Sequence, residues 1–372
     1  MRSLTICLFA ALGAGLLAGV FEGVSQGQSP TKPKEAAKPA VDASKIAGKS
    51  FEQWLKEIAT KDPSKRETAI RAVCSFPPEI AIKAIPTLLF ELRKHSTAPV
   101  DLSVRCNLCT SLAELFGSGE RIDAKLKAEA VALLRFQLRD TQAILRYRAA
   151  TALSALGPDA LPAIPDLMAM FRDGSTWEVR QAAAAAIGAI AGDGANGPNP
   201  AHLENLYKVL HDPAYQVRLA AIQSLSILGP GTDQNMIDAY VSALTPIALK
   251  DPEPGLQIWA RIAVIGATKD FSLTNIAPIT KHLTSVDPGI RMQAVQALGA
   301  IGPQAKTSVA SLVTALKDDD QGVQLSAMWA LGRMEAAAAV AMPALEKIAA
   351  DPNQADHVKR SAKDALEKIK GK

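Results

Sequence analysis

One register recurs nine times along this chain and leaves little freedom over the fold. A basic or amide residue stands at Arg66, Arg105, Arg146, Arg180, Arg218, Gln257, Arg291, Gln324 and Lys359, at steps of 39, 41, 34, 38, 39, 34, 33 and 35 residues. Three places after each anchor comes Ala, with Leu108 the one exception. Six places after, the residue is always Ala or Ser; seven places after, it is always Val, Leu or Ile. Self-similarity at this period marks a helical solenoid, in which each unit buries its apolar face against the next. The predicted class is therefore all-α, a right-handed α-α superhelix of about eight helical hairpins with terminal capping helices.

Each anchor lies near the start of one helix, A. The residue before it is apolar in eight cases, from Val104 to Val358, and with places three, six, seven and ten it forms a stripe at helical spacing. Small residues at place six allow neighbouring helix backbones to cross closely. Asp-Pro before helix A, at Asp62, Asp212, Asp251, Asp287 and Asp351, supplies a cap and a first-turn Pro. Gly-Pro at Gly157, Gly229 and Gly302 ends helix A. A second helix, B, follows, as at Ile85–Phe90, Ile164–Met168 and Val309–Val313. Ser50 and Gln53 form a capping box for an opening helix, and the charged last unit, with Lys359, Lys363 and Lys368, closes the stack.

The segment before the repeats is of another kind. Arg2, the apolar run Leu4 to Val20 and the small residues Gly23 and Ser25 read as a signal peptide, residues 1–25. The alternative is an uncleaved N-terminal membrane anchor, which Gly13, Gly15 and Gly19 weaken. Residues 26–49, rich in Pro, Lys and Ala, read as a flexible linker, and residues 50–372 as the solenoid. The expected location is thus periplasmic or secreted, with no membrane span after processing. A formal charge of +4 on 372 residues is too small to drive nucleic-acid binding.

Val179-Arg180-Gln181-Ala182-Ala183, Val217-Arg218-Leu219-Ala220-Ala221 and Ile290-Arg291-Met292-Gln293-Ala294 resemble HEAT repeats. The short period and the Asp-Pro-x-x-Arg-x-x-Ala style are similar to the phycobilisome-lyase-like subgroup. The leader, the tether and Gly48-Lys49-Ser50-Phe51-Glu52-Gln53-Trp54-Leu55 resemble exported HEAT-repeat proteins of planctomycete-type bacteria. The resemblance covers roughly residues 50 to 372 and implies a ladder between each anchor Arg and an Asp of the neighbouring repeat. Gln257 and Gln324 depart from it.

Chemistry is sparse. Deoxyhypusine hydroxylases resemble this architecture and hold two irons through His-Glu pairs, but none of His95, His202, His211, His282 and His357 is followed by Glu. Cys106-Asn107-Leu108-Cys109 is either a redox or metal pair or, since Cys109 holds a core register, a buried turn of helix A. Once the leader with Cys7 is removed, three cysteines remain, Cys74, Cys106 and Cys109, and the odd number argues against a disulfide framework. The Gly192–Gly197 stretch lacks both the Walker lysine and EF-hand spacing, and reads as a turn. Arg139, Arg172, His211, Lys250 and Lys317 precede the turns into the next repeat, either as a ridge for an acidic partner or as complements to helix dipoles.

Places two and five after the anchor should face outward, and most carry polar or small residues. Trp259, Ile262 and Trp329 break that rule. They form a candidate protein-binding patch, with packing against a neighbouring helix as the competing reading. No catalytic, cofactor or metal residue is assigned. The reading is a non-catalytic scaffold or adaptor that binds protein or peptide outside the cytoplasm. The alternative is an enzyme or enzyme subunit of the lyase-like or oxidoreductase-like HEAT branch.

Overall fold

The computed structural model describes residues 45–94, 102–171, 175–192 and 198–371. The leader 1–25, the linker up to residue 44, His95, Arg172 and the turn 193–197 lie outside them. The chain divides into two compact units between Ser224 and Leu225.

The first unit opens with a small antiparallel hairpin, β1 (Lys45–Ile46) and β2 (Lys49–Ser50). This corrects the linker boundary, since residues 45–49 belong to the fold. The Trp54 indole donates to the Ile46 carbonyl at 2.9 Å, and the Lys49 ammonium sits 4.2 Å from the Trp54 ring centre. Helices α1 (Phe51–Glu57), α2 (Pro63–Cys74), α3 (Pro78–Ala81), α4 (Ile85–Lys94), α5 (Leu102–Phe116), α6 (Ala124–Gln137), α7 (Ala143–Leu156), α8 (Ile164–Ala169), α9 (Trp177–Ile190) and α10 (Pro200–Val209) follow. Helix α11 (Tyr215–Leu228) contains the division. The second unit continues with α12 (Gln234–Lys250), α13 (Pro254–Thr268), α14 (Leu273–Lys281), α15 (Pro288–Ile301), α16 (Val309–Ala315), α17 (Gln321–Arg333), α18 (Met342–Ala350) and α19 (Asp356–Ile369).

The anchors fall on α2, α5, α7, α9, α11, α13, α15, α17 and α19, which are the A helices. Every residue three places after an anchor is completely buried, and every residue six places after is buried as well. At three junctions a glycine eight places after the anchor faces place six of the next A helix. A Cβ on Gly188 would lie 2.8 Å from the Ser224 Cα; on Gly299, 2.8 Å from the Ala330 Cα; on Gly332, 3.2 Å from the Ala365 Cα. Small residues are required on both sides of the seam. Where place six is Ser, its hydroxyl ties the stack: Ser111 donates to the Ile70 carbonyl at 3.4 Å and Ser224 to the Ala184 carbonyl at 2.9 Å.

The anchors do two jobs. Arg66, Arg146, Arg218, Gln257, Arg291 and Gln324 each donate to the carbonyl six residues earlier, at 2.6–2.9 Å. This clamps the turn entering helix A, and an amide does it as well as a guanidinium. Three arginines also reach the next repeat: Arg105 to Asp140 at 2.6 Å, Arg180 to Asp212 at 2.7 and 2.9 Å, Arg291 to Asp318 at 2.7 Å on both oxygens. The expected ladder exists at these junctions. Gln257 and Gln324 keep the clamp alone.

The punctuation needs one correction. Asp62 and Asp287 cap their helices directly. Asp212, Asp251 and Asp351 instead accept the amide two residues on, at 2.9–3.0 Å, and the helix starts later. The short carboxylate closes a turn of its own before the helix begins. The capping box is present, with Ser50 and Gln53 exchanging bonds of 2.8 and 3.4 Å.

Candidate functional site

The residues singled out for a binding patch do not lie outside. Trp259 and Ile262 are each 3% exposed. Trp329 is half-buried and packs against the core of the second unit, with its ring edge over Gly299. The physical reason is local. Helix α13 carries Ile258, Trp259, Ile262 and Ile265 in addition to its regular stripe, so it is apolar on nearly every side. A helix of that kind is buried. The 17-residue α12 runs along it, and Arg261 donates to the Ala248 carbonyl in the last turn of α12 at 3.0 Å.

Ile262 instead forms part of a cavity of about 120 Å³ in the second unit. Its floor is buried: Ser226 of α11, Tyr240 of α12, Ile262 and Ile265 of α13, Ala300 and Ile301 of α15. Its mouth is formed by half-buried Gly229, Pro230, Gly266 and Phe271 and by exposed Lys269 and Gln304. Lys269 ends α13 in a left-handed conformation, φ 58°, and its ammonium donates to the Gly266 carbonyl.

The register explains the cavity. Eight places after the anchor, other A helices carry Cys74, Ala113, Ser154, Gly188, Ser226, Gly299 and Gly332; α13 carries Ile265, and the terminal helix Glu367. A branched side chain at the seam holds α13 and α15 apart. Their backbones accordingly approach over a shorter stretch than those of α15 and α17. The ladder is missing from the same junction, where Gln257 and Ser285 stand in place of Arg and Asp.

The exposed aromatic residues lie in the first unit. Trp177 is 40% exposed and Tyr215 47%. Each is the first residue of its A helix, three places before the anchor, in consecutive repeats. Helices α9 and α11 are joined there by the Arg180–Asp212 pair and by the Ser224 bond. The two rings therefore occupy equivalent places on adjacent helices, about 10 Å apart by ordinary helix packing. The aromatic type was legible at both positions, but the outward rule considered only places two and five.

The titrating groups point away from nucleophilic chemistry. Burial pushes the Cys74 thiol up to about 11 and raises Cys106 and, above all, the fully buried Cys109. Such thiols are protonated at neutral pH, which favours the core reading of the CxxC. Burial lowers His202 and His282 below the ordinary imidazole range. Among the described residues no group of three or more His, Cys, Asp or Glu is placed to hold a metal. Of the basic ridge, Arg139 pairs with Asp166 of the next repeat at 2.7 Å, while His211, Lys250 and Lys317 are exposed.

The sequence model for HEAT repeats matches residues 86–188 and 276–367. No curated protein matches the chain. Among solved structures, a multiply substituted Kap121p aligns over 86% of this chain and 37% of its own, at 16% identity and a TM-score of 0.54. Kap121p bound to the SUMO protease Ulp1p aligns over 86% and 41%, at 15% identity and a TM-score of 0.51. An engineered protein aligns over 88% and 92%, at 21% identity and a TM-score of 0.44. The chain spans less than half the length of the Kap121p chains, and at these identities the likeness is one of fold.

Proposed function

Because this chain belongs to the HEAT-repeat family, what it offers is the surface of stacked helical hairpins, and we propose that this surface binds a protein or peptide without chemistry of its own. The observation that carries the reading is the pair Trp177 and Tyr215, two exposed rings at one repeat position on adjacent helices. Large amphipathic rings of this kind dominate protein interfaces, because they desolvate much apolar area at little entropic cost. The fold is compatible with such use: the karyopherin Kap121p has been solved with Nup53p, with Ste12p and with the extreme C-terminus of the phosphatase Cdc14p.

The proposal includes a location outside the cytoplasm, supported by Arg2, the apolar run Leu4 to Val20 and Ser25. No helix among the described residues is long and apolar enough to cross a membrane. N-terminal sequencing of the protein recovered from its native cells should begin near Gln26; an intact Met1 on cytosolic protein refutes the location. Within the family, the short period and the Asp-Pro-x-x-Arg style favour the phycobilisome-lyase-like subgroup, and the leader and tether favour exported relatives of the planctomycete type.

The binding reading is tested with Trp177→Ala/Tyr215→Ala. Both side chains are substantially exposed, so the double variant should melt close to the parent. Its capture of partners from cell-envelope extract should fall well below that of the parent. Equal capture by the two proteins removes the aromatic pair as the contact surface.

A further inference from the structure

Three features hold the cavity beside α13 open. Ile265 replaces the small seam residue of the other repeats, and Gln257 with Ser285 cannot make between α13 and α15 the ion pair that Arg291 and Asp318 make at the next junction. The third is Gly266. Helix propensity favours almost any other residue inside a helix, yet nothing lies within 4 Å of the point its Cβ would occupy. Gly188, Gly299 and Gly332 are different, since a Cβ on any of them meets a neighbour at 3.2 Å or less. Their lack of a side chain is a packing requirement; that of Gly266 keeps space empty at the cavity mouth.

We propose that this cavity is an anchor pocket for one aromatic or branched aliphatic side chain of a protein partner, an inference that rests on the protein-binding reading above. The size fits one such group. The volume is about 120 Å³, and apolar cavities of about 150 Å³ accept a single benzene ring. The lining is apolar except for a few groups, as binding pockets usually are. Size also argues against a free metabolite. A molecule filling this volume has only a handful of heavy atoms, and affinity per atom is capped. A side chain carried by a partner needs no such affinity of its own, because the surrounding contacts contribute the rest. Those contacts are at hand, since the turns after three successive A helices, at Gly229, Lys269 and Gln304, ring the mouth. Lys269 is the one charged residue in the lining, so the matching segment places Asp or Glu beside the apolar residue.

The test selects random short peptides displayed on phage against the full chain. The parent should enrich a single Phe, Leu or Ile next to an acidic residue. The synthetic consensus peptide should shift the δ-methyl signals of Ile262, Ile265 and Ile301, and should bind Gly266→Leu, in which the mouth is filled, about tenfold more weakly. Replacing the apolar residue of the peptide by Ala should produce the same loss on the parent, a readout that holds even if Gly266→Leu folds poorly. Peptides that bind parent and variant alike, with the methyl signals unmoved, overturn the pocket and leave the scaffold reading standing. Failure to enrich any peptide overturns both. Toluene is the small-molecule probe: if it moves the three methyl signals while the peptide does not, the cavity takes a free ligand and the proposal falls.

Discussion

Replacing Gly299 by Ala tests the seam on which the whole stack depends. Two effects oppose each other. In a helix interior Ala is favoured over Gly by about 1 kcal/mol. Against this, the new Cβ would stand 2.8 Å from the Ala330 Cα and 2.5 Å from the Trp329 ring. The ring can turn away; the backbone of α17 can yield only if the two helices separate. Overpacking a close seam costs about 1–3 kcal/mol, and a backbone collision belongs at the upper end. The net expectation is a loss of about 2 kcal/mol, or about 4–8 °C in Tm for a body of this size. Gly266→Ala is the control. It removes the same conformational freedom, but its Cβ meets nothing within 4 Å, so it should gain about 1 kcal/mol. Urea unfolding followed by circular dichroism measures both. The reasoning requires opposite signs. A gain in both variants would mean that α15 and α17 are not in closest contact at Gly299 and that the assigned seam is wrong.

Three further expectations follow from the same packing. Arg291 and then burial act on Asp318, the first lowering its carboxyl and the second raising it, with a net depression below the usual range. A depressed folded value contributes stability above the unfolded pKa of about 3.9 that is lost as pH falls through the folded value; the Tm gap between the parent and Asp318→Asn should therefore be open at pH 6 and close below about pH 4, and a gap independent of pH contradicts the pairing. With Cys74 pushed up to about 11, roughly a thousandth of it is thiolate at pH 8, so alkylation of the folded protein should be slow and rise about tenfold per pH unit; rapid labelling at pH 7 would show that the site is not buried. Ala297→Leu places a large side chain on the seam and should destabilise by about 1–3 kcal/mol, whereas Gln296→Leu, half-buried beside it, should change little; equal losses on urea unfolding would mean that the inward register is misassigned.

The fold was legible because solenoid packing is local. Each A helix meets its neighbour through places three, six and seven, and a single-sequence repeat fixes those places without any long-range pairing. Even the Arg ladder appeared where Arg105, Arg180 and Arg291 have an Asp in the next repeat. Trp259 and Ile262 were misplaced for a reason of the same kind. A period identifies the side of a helix that every repeat buries, and it is silent about a second side covered in one repeat alone, here by the long α12. The hairpin at residues 45–50 was hidden because its strands are two residues each. The Trp54 indole bond to Ile46 and the Lys49–Glu57 ion pair tie it to the helix that follows. The cavity left a trace in the sequence, since Ile265 is the one bulky apolar residue at place eight. Its meaning depends on knowing that place eight faces the next repeat, which the seam distances at Gly188 and Gly299 supply.

At six of the nine anchors, the clamp to the carbonyl six residues before divides the chain into inelastic and elastic stretches. That interval is the same at Arg66, Arg146, Arg218, Gln257, Arg291 and Gln324, although the distance between anchors ranges from 33 to 41 residues. Most of the slack is taken up between the end of one A helix and the start of the next. Foreign segments grafted after Gly229, ahead of α12, should therefore be carried as surface decoration. A single residue added between Asp251 and Gln257 would pull the side chain off its carbonyl and turn every later residue of α13 by about 100°. New loops can thus be acquired between repeats without renegotiating the interior of either unit.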